Sequence, residues 1–342
     1  MNPTGRIHNF GAGPAVLPLE VVEECRKSLP NLDNSGFGLI EISHRSQTFQ
    51  NIVDSSMEKL RRILSIPEDY TVLYLQGGAS LQFYMSALNL LRENEKVDFL
   101  VTGAWSQKSM KEANRIGDAS ARWDDTENGF ISIPKNGEYS VRKDSLYLHY
   151  TSNNTLFGTQ FHHLPDSNGK PRVLDASSDI MGVPLDVSAH DLIYAGAQKN
   201  LGPSGVTVVI LSPWAMQRVP NDLPTMLDYS VHSSKGSLFN TPNTFGIFVL
   251  DKVFSWVENN GGLEGAIARN RAKSDLLYEE LDRSDFWSPH ANKDSRSVMN
   301  VTWRLPNTEL EEKFLKESLD AGLGGLKGHR SVGGIRASLY NG

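Results

Sequence analysis

Cysteine is nearly absent: Cys25 is alone among 342 residues. No disulfide can form within the chain, which fits a reducing compartment. Long apolar runs are missing too. Nothing approaches the roughly 18 apolar residues that a membrane helix needs, and the opening MNPTGRIHNFGAGPAVLP has no apolar core of the signal-peptide kind. A cytoplasmic enzyme without a membrane partner is the expectation. Positive charge is in deficit, with 34 Lys and Arg against 40 Asp and Glu and a formal net charge of −6. That argues against a nucleic-acid partner but leaves small anionic substrates open. Neither the P-loop pattern nor the dinucleotide glycine fingerprint occurs, which disfavours a nicotinamide dehydrogenase.

The residues that are present alternate between two periodicities. Short apolar runs occur at TVLYL, VDFLV, SLYLHY, RVLDA, DLIYAGA and VTVVIL; they are too short for helices and rich in Val, Leu and Tyr. Leu81, Tyr84, Met85 and Leu88 instead recur at helical spacing. The alternation predicts an α/β fold, a mostly parallel sheet flanked by helices. The runs end in QGGAS, TGAWS, TSNNT, DASSD and GAQKN, and the carboxyl ends of strands are where open α/β sheets bind ligands. After about Asn260 the texture changes. LEGAIARNRAKSDLLYEELDRS and NTELEEKFLKESLDAG read as helices, the second capped by Asn307 or Thr308 with Gly322 near its end, and SVMNVTWRL and GIRASLY read as strands of a smaller α/β domain.

Lys199 ends one apolar run and precedes another. Most lysines in turns are solvated, but a lysine in a desolvated pocket loses basicity and becomes a nucleophile able to form a Schiff base with an aldehyde. Asp175 closes RVLDASSD; it suits either a helix N-cap or a carboxylate facing a protonated ring nitrogen. Gly77, Gly78, Ala79 and Ser80 precede the periodic helix, either as an ordinary glycine turn or as a phosphate-binding helix start. Trp105 is a core residue or a stacking partner for a flat ring. His44 and Arg45 in SHRS, and Lys327, His329, Arg330 and Arg336 in KGHRSVGGIRASLY, sit among Ser and Gly rather than on a lysine-rich helix. Arginine forks there suit carboxylate and phosphate oxygens.

Together NFGAGPAVLP, EISHRS, QGGAS, TGAWS, YAGAQKN, FNTP and LKGHRSVGGIRASLYN strongly resemble the phosphoserine aminotransferase family of the class V aminotransferases, which are pyridoxal-phosphate enzymes of fold type I. The motifs run from Asn9 to Asn341. The resemblance implies a large cofactor-binding domain over 18–260 and a small domain over 261–342 together with 1–17. It implies that Lys199 bonds covalently to pyridoxal 5'-phosphate. Gln198, Ser80 and the Ala79 backbone would hold the cofactor phosphate, Trp105 would stack on its ring, Thr155 would bond the ring hydroxyl and Asp175 would pair with the ring nitrogen. Asn240 and Thr241 would reach the phosphate across a homodimer interface. Arg336 would bind the substrate α-carboxylate; His44, Arg45, His329 and Arg330 would bind the distal phosphate of phosphoserine or the side-chain carboxylate of glutamate. The implied activity moves an amino group between L-glutamate and 3-phosphohydroxypyruvate, giving O-phospho-L-serine and 2-oxoglutarate, with 4-phosphohydroxy-L-threonine as a further substrate. The chain departs from the family pattern at Ala79, where members often have a third glycine, and in ending at LYNG, where members usually carry a further segment. Alternatives are another class V enzyme, such as an alanine–glyoxylate aminotransferase, and a non-catalytic phosphometabolite-binding protein. A cysteine desulfurase is disfavoured because Cys25 is remote from every motif.

Overall fold

The computed structural model describes residues 5–342. The six short apolar runs become strands, as expected, and a seventh strand joins them: β1 (Thr71–Leu75), β2 (Lys96–Val101), the added β3 (Asp118–Asp124), β4 (Ser145–Thr151), β5 (Arg172–Asp175), β6 (Leu192–Gly196) and β7 (Thr207–Leu211). They form one sheet in the order β1-β7-β6-β5-β4-β2-β3. Strands β6, β5, β4, β2 and β3 pair in parallel, and β7 runs antiparallel to both of its neighbours. β6 and β7 are buried along their whole length, which is why they read as continuous apolar runs rather than alternating ones.

Alternation still sorts their side chains into two cores. Leu148, Leu174, Ile193 and Val208 face one layer, with Phe49, Val53 and Leu60 of α1 (Gln47–Leu64). Tyr147, Val173, Leu192 and Val209 face the other, with Phe83, Met85 and Leu90 of α2 (Gly78–Leu90). Helix α3 (Ala104–Ala113) follows β2, and α4 (Thr244–Asn259) packs Ile247, Leu250 and Phe254 into the first core. Cys25 is buried there as well, and burial pushes its thiol up, so it packs as a small hydrophobe.

Two sequence expectations shift. Helix α2 begins at Gly78, not Leu81, because Gly77 at φ +91° turns the chain directly into it. β3 was not expected: Asp118–Asp124 holds two acids and an arginine and only half-buries most of its residues. It is an edge strand with one neighbour, so it lacks the apolar run of a central strand.

Helix α5 (Gly262–Leu281) leads to a three-stranded antiparallel sheet of Ser288–Pro289, β8 (Asn300–Arg304) and β9 (Ile335–Ser338). Helix α6 (Thr308–Asp320) covers it, and Asn307 Oδ1 accepts from Leu310 N at 2.9 Å, so Asn307 rather than Thr308 is the cap. This region has its own core, including Leu281, Val301, Trp303 and Ile335. The chain's first described segment joins it: His8–Asn9 pairs in parallel with Leu323–Gly324, and Phe10 O accepts from Ser338 N at 3.1 Å.

Candidate active site

The carboxyl ends of β2, β4, β5 and β6 interlock. Asn154 Nδ2 donates to Thr102 Oγ1 at 3.1 Å, Ser152 N to Asp175 O at 3.0 Å, and Gly196 N to Ser177 Oγ at 3.1 Å. Four of the five strand-end segments named above are therefore in direct contact. Gly103 is required by this packing, since a Cβ there would collide with Asn154 Oδ1. Gly103→Ala is expected to lower stability by about 1–3 kcal/mol, the usual range for overpacking. Urea unfolding checks this, and an unchanged midpoint would mean the strand ends can move apart freely.

Lys199 stands three residues beyond β6. Its Nζ donates to Thr155 Oγ1 at 2.6 Å. Burial pushes its ammonium down to about 8, reinforced by Arg336 and opposed by Asp175 and Asp179. A much larger share of free amine is thus present near neutrality than for an exposed lysine. The turn Gly11–Ala15 closes over it: a Cβ on Gly13, at φ +142°, would stand 3.5 Å from Lys199 Cγ, and Ala15 N donates to Gln198 O at 2.8 Å. The Gln198 side chain folds back over Gly196.

Asp175 ends β5 at 4% exposure. Its Oδ1 accepts from Ser177 N at 3.0 Å. No α-helix begins there, so it is not a helix cap. Burial pushes its carboxyl up, while Ser177 and Lys199 pull it back.

Three further features frame the pocket. The first turn of α2 presents the N–H groups of Ala79 and Ser80, unbonded as in any helix start. Asn240 and Thr241 lie near this turn in the same chain, with Gln76 Nε2 donating to Thr241 O at 3.2 Å. Trp105 sits in the first turn of α3; its Nε1 is buried without a partner, and Lys108 Nζ lies 4.6 Å from its ring centroid. Arg336, on β9, is 9% exposed. Its Nη1 donates to Thr155 O at 3.5 Å, and its Nε is buried without a partner.

His329 bonds Ser331 Oγ at 2.6 Å. Burial pushes its imidazole down, and Arg336, Arg330 and Lys108 each add to the shift. Lys108, Arg330 and Arg336 are thus the cations whose charge acts on His329. His44 and Arg45 lie in the turn before α1; among the described residues no hydrogen bond or ion pair joins them to Lys199, Arg336 or His329. Arg45 is exposed, and His44 Nε2 is buried without a partner.

Sequence reading missed Lys108, one helical turn after Trp105, which that spacing could have flagged. It also missed Asn154, Asp179 and Tyr340. Tyr340 donates to Ala12 O at 3.1 Å, and Asn300 Nδ2 donates to the tyrosine oxygen at 3.3 Å.

These donors fit a flat ring bearing an aldehyde, a protonated nitrogen and a phosphate. A nucleophilic amine, a buried carboxylate, an indole and a free helix N-terminus all lie at the carboxyl ends of strands of one sheet, and Arg336 Nε is buried without a partner. The class V aminotransferase family model matches residues 7–342. A curated phosphoserine aminotransferase of Geobacillus kaustophilus is 50% identical over 98% of this chain and 93% of its own. The phosphoserine aminotransferase structure from Bacillus circulans subsp. alkalophilus superposes with a TM-score of 0.95 at 44% identity, covering 98% of this chain and 93% of that one. A pyridoxal-phosphate-bound phosphoserine aminotransferase from Trichomonas vaginalis gives 0.93 at 33% identity, over 98% and 96%. The chain, with this lysine-centred pocket at its strand ends, belongs to the phosphoserine aminotransferases of class V.

Proposed function

We propose that this enzyme transfers an amino group between L-glutamate and 3-phosphohydroxypyruvate, giving O-phospho-L-serine and 2-oxoglutarate. The observation that carries the reading is the cluster of Lys108, His329, Arg330 and Arg336 beside a buried lysine of lowered basicity. Pyridoxal 5'-phosphate, when bound, supplies the aldehyde that Lys199 engages and a ring that withdraws electrons from the substrate Cα.

The chain's own residues do the rest. Lys199 Nζ holds the cofactor covalently and then, freed, takes the proton from the substrate Cα. Thr155 Oγ1, 2.6 Å from that nitrogen, aims it. With the cofactor bound, Asp175 would favour a proton on the ring nitrogen, Trp105 would stack on the ring, and Ala79, Ser80 and Gln198 would hold the phosphate. Arg336 binds the α-carboxylate, and His329 and Arg330 bind the distal anion. His44 and Arg45 add to that anion site, and Asn240 and Thr241 to the cofactor phosphate, in a homodimer whose second copy completes each pocket. The division into 18–260 and 261–342 with 1–17 belongs to this proposal, supported by the separate core around β8 and β9. So does a cytoplasmic setting, supported by the single buried Cys25.

An alanine–glyoxylate activity would have no use for so many cations. The visible spectrum of the holoenzyme discriminates. Loss of the lysine-bound cofactor band on adding O-phospho-L-serine but not L-alanine is expected; bleaching by L-alanine alone overturns the substrate assignment. Arg330→Ala is expected to raise KM for O-phospho-L-serine about 10–100-fold, the worth of one charge-assisted hydrogen bond, with the resting spectrum unchanged. Steady-state kinetics checks it.

A further inference from the structure

Asp179, four residues beyond Asp175, is 1% exposed. Among the described residues it has no ion-pair partner: Ser152 Oγ donates to its Oδ1 at 2.6 Å and Gln160 Nε2 to its Oδ2 at 3.1 Å. A buried carboxylate held only by neutral donors is costly, so its place calls for a reason beyond packing.

Both donors are doubly committed. Ser152 Oγ also stands 3.2 Å from the carbonyl of Asp175, in the segment that runs on to Thr155. Gln160 Oε1 accepts from Val298 N at 3.0 Å, just before β8, whose neighbour β9 carries Arg336. One carboxylate thus ties the segments that bear Asp175 and Thr155 to each other and, through Gln160, to the chain entering β8.

Its charge also reaches the site. Asp175 and Lys199 act on it from the ends of β5 and β6, and it acts in turn on Lys199, on Tyr150 of β4 and on Tyr340 beyond β9; Arg336 faces Lys199 and Tyr340. Burial, with Asp175 adding to it, pushes the Asp179 carboxyl up to about 6, so near pH 8 it is ionised. A cavity of about 420 Å³ opens beside Asp179, lined also by Ser152, Gln160, His163 and Arg271; its lining does not include Lys199, Asp175, Thr155 or Arg336.

We propose that Asp179 is a positioning residue of the active site: it braces the Thr155 and Asp175 segments through Ser152, and its negative charge acts on Lys199. The inference deepens the function proposed above and rests on Lys199 being the reactive amine.

The test uses the apoenzyme and needs no cofactor. Trinitrobenzenesulfonate arylates the free amine, and peptide mapping reads Lys199 alone. In the wild type the rate rises through a midpoint near pH 8. Asp179→Asn removes a negative charge that favours the ammonium, so the midpoint moves to lower pH. Asp179→Ser, also neutral, serves if asparagine does not fold. Asp179→Glu keeps the charge and holds the midpoint. A purely structural role would change thermal stability and leave the midpoint in place; that result, or a midpoint that falls equally in Asp179→Glu, overturns the proposal. Failure of the phosphoserine reading alone would appear in the spectral test and leave this titration untouched.

Discussion

Lys199→Ala is expected to lower kcat by about 10³-fold or more and to abolish the visible band of the lysine-bound cofactor. Proton transfer by a positioned side chain contributes about 10²–10⁴-fold on its own, and the covalent hold is lost with it. Lys199→Arg should fail as completely, because a guanidinium does not deprotonate. A small added amine such as methylamine should restore part of the alanine variant's rate, and more of it as pH rises and the free base grows.

Stability should move the other way. The folded-state basicity of Lys199 lies at about 8 against an ordinary 10.5. Below pH 8 the wild-type chain carries a buried ammonium at a cost, which fades between pH 8 and 10.5 as the amine loses its proton on folding. The apo alanine variant should therefore be the more stable protein below pH 8, with the advantage shrinking as pH climbs to 10.5. Denaturant unfolding at several pH values, with turnover assays alongside, checks both halves. Turnover within tenfold of wild type would remove Lys199 from the reaction.

Asp175→Asn is expected to lower kcat by about 10²–10³-fold, the range lost when one preorganised electrostatic group is removed from an active site. The amide can still accept from Ser177 N, so the 3.0 Å turn contact and the fold should survive. What goes is the negative charge that favours a proton on a ring nitrogen. KM for O-phospho-L-serine should change little, because Asp175 does not touch the substrate anions, and Asp175→Glu should recover part of the loss. Kinetics with saturating pyridoxal phosphate checks this; near-normal kcat would show that the ring nitrogen needs no acid partner.

Lys199, Asp175 and Trp105 stood out because each lies at, or within four residues of, the carboxyl end of an apolar strand run, where open α/β sheets bind ligands. The central strands were legible from those apolar runs themselves. β3 was not, since an edge strand half in water carries no continuous apolar signal. Asp179 was hidden by its position: in DASSD it looks like one of two acids in a polar turn, and only the fold separates the acid facing Lys199 and Ser177 from the acid held by Ser152 and Gln160. His44 and Arg45 were singled out by their chemistry; among the described residues no hydrogen bond or ion pair joins them to Lys199 or Arg336. Lys108 was overlooked because a helical lysine is usually solvated, although its place over Trp105 follows from their i, i+3 spacing on α3.

The meeting of the chain's two ends has a consequence in time. By the end of β7 every strand of the main sheet has been synthesised, with Lys199 already in place, while β9 and Arg336 begin 124 residues later. At the roughly 5–20 residues per second of synthesis, that gap lasts on the order of ten seconds. The Gly11–Ala15 turn that closes over Lys199 waits as well, because its neighbours His8–Asn9 and Phe10 pair with Leu323–Gly324 and Ser338. A nascent chain therefore gains Lys199 early, and Arg336, proposed above to bind the substrate carboxylate, last.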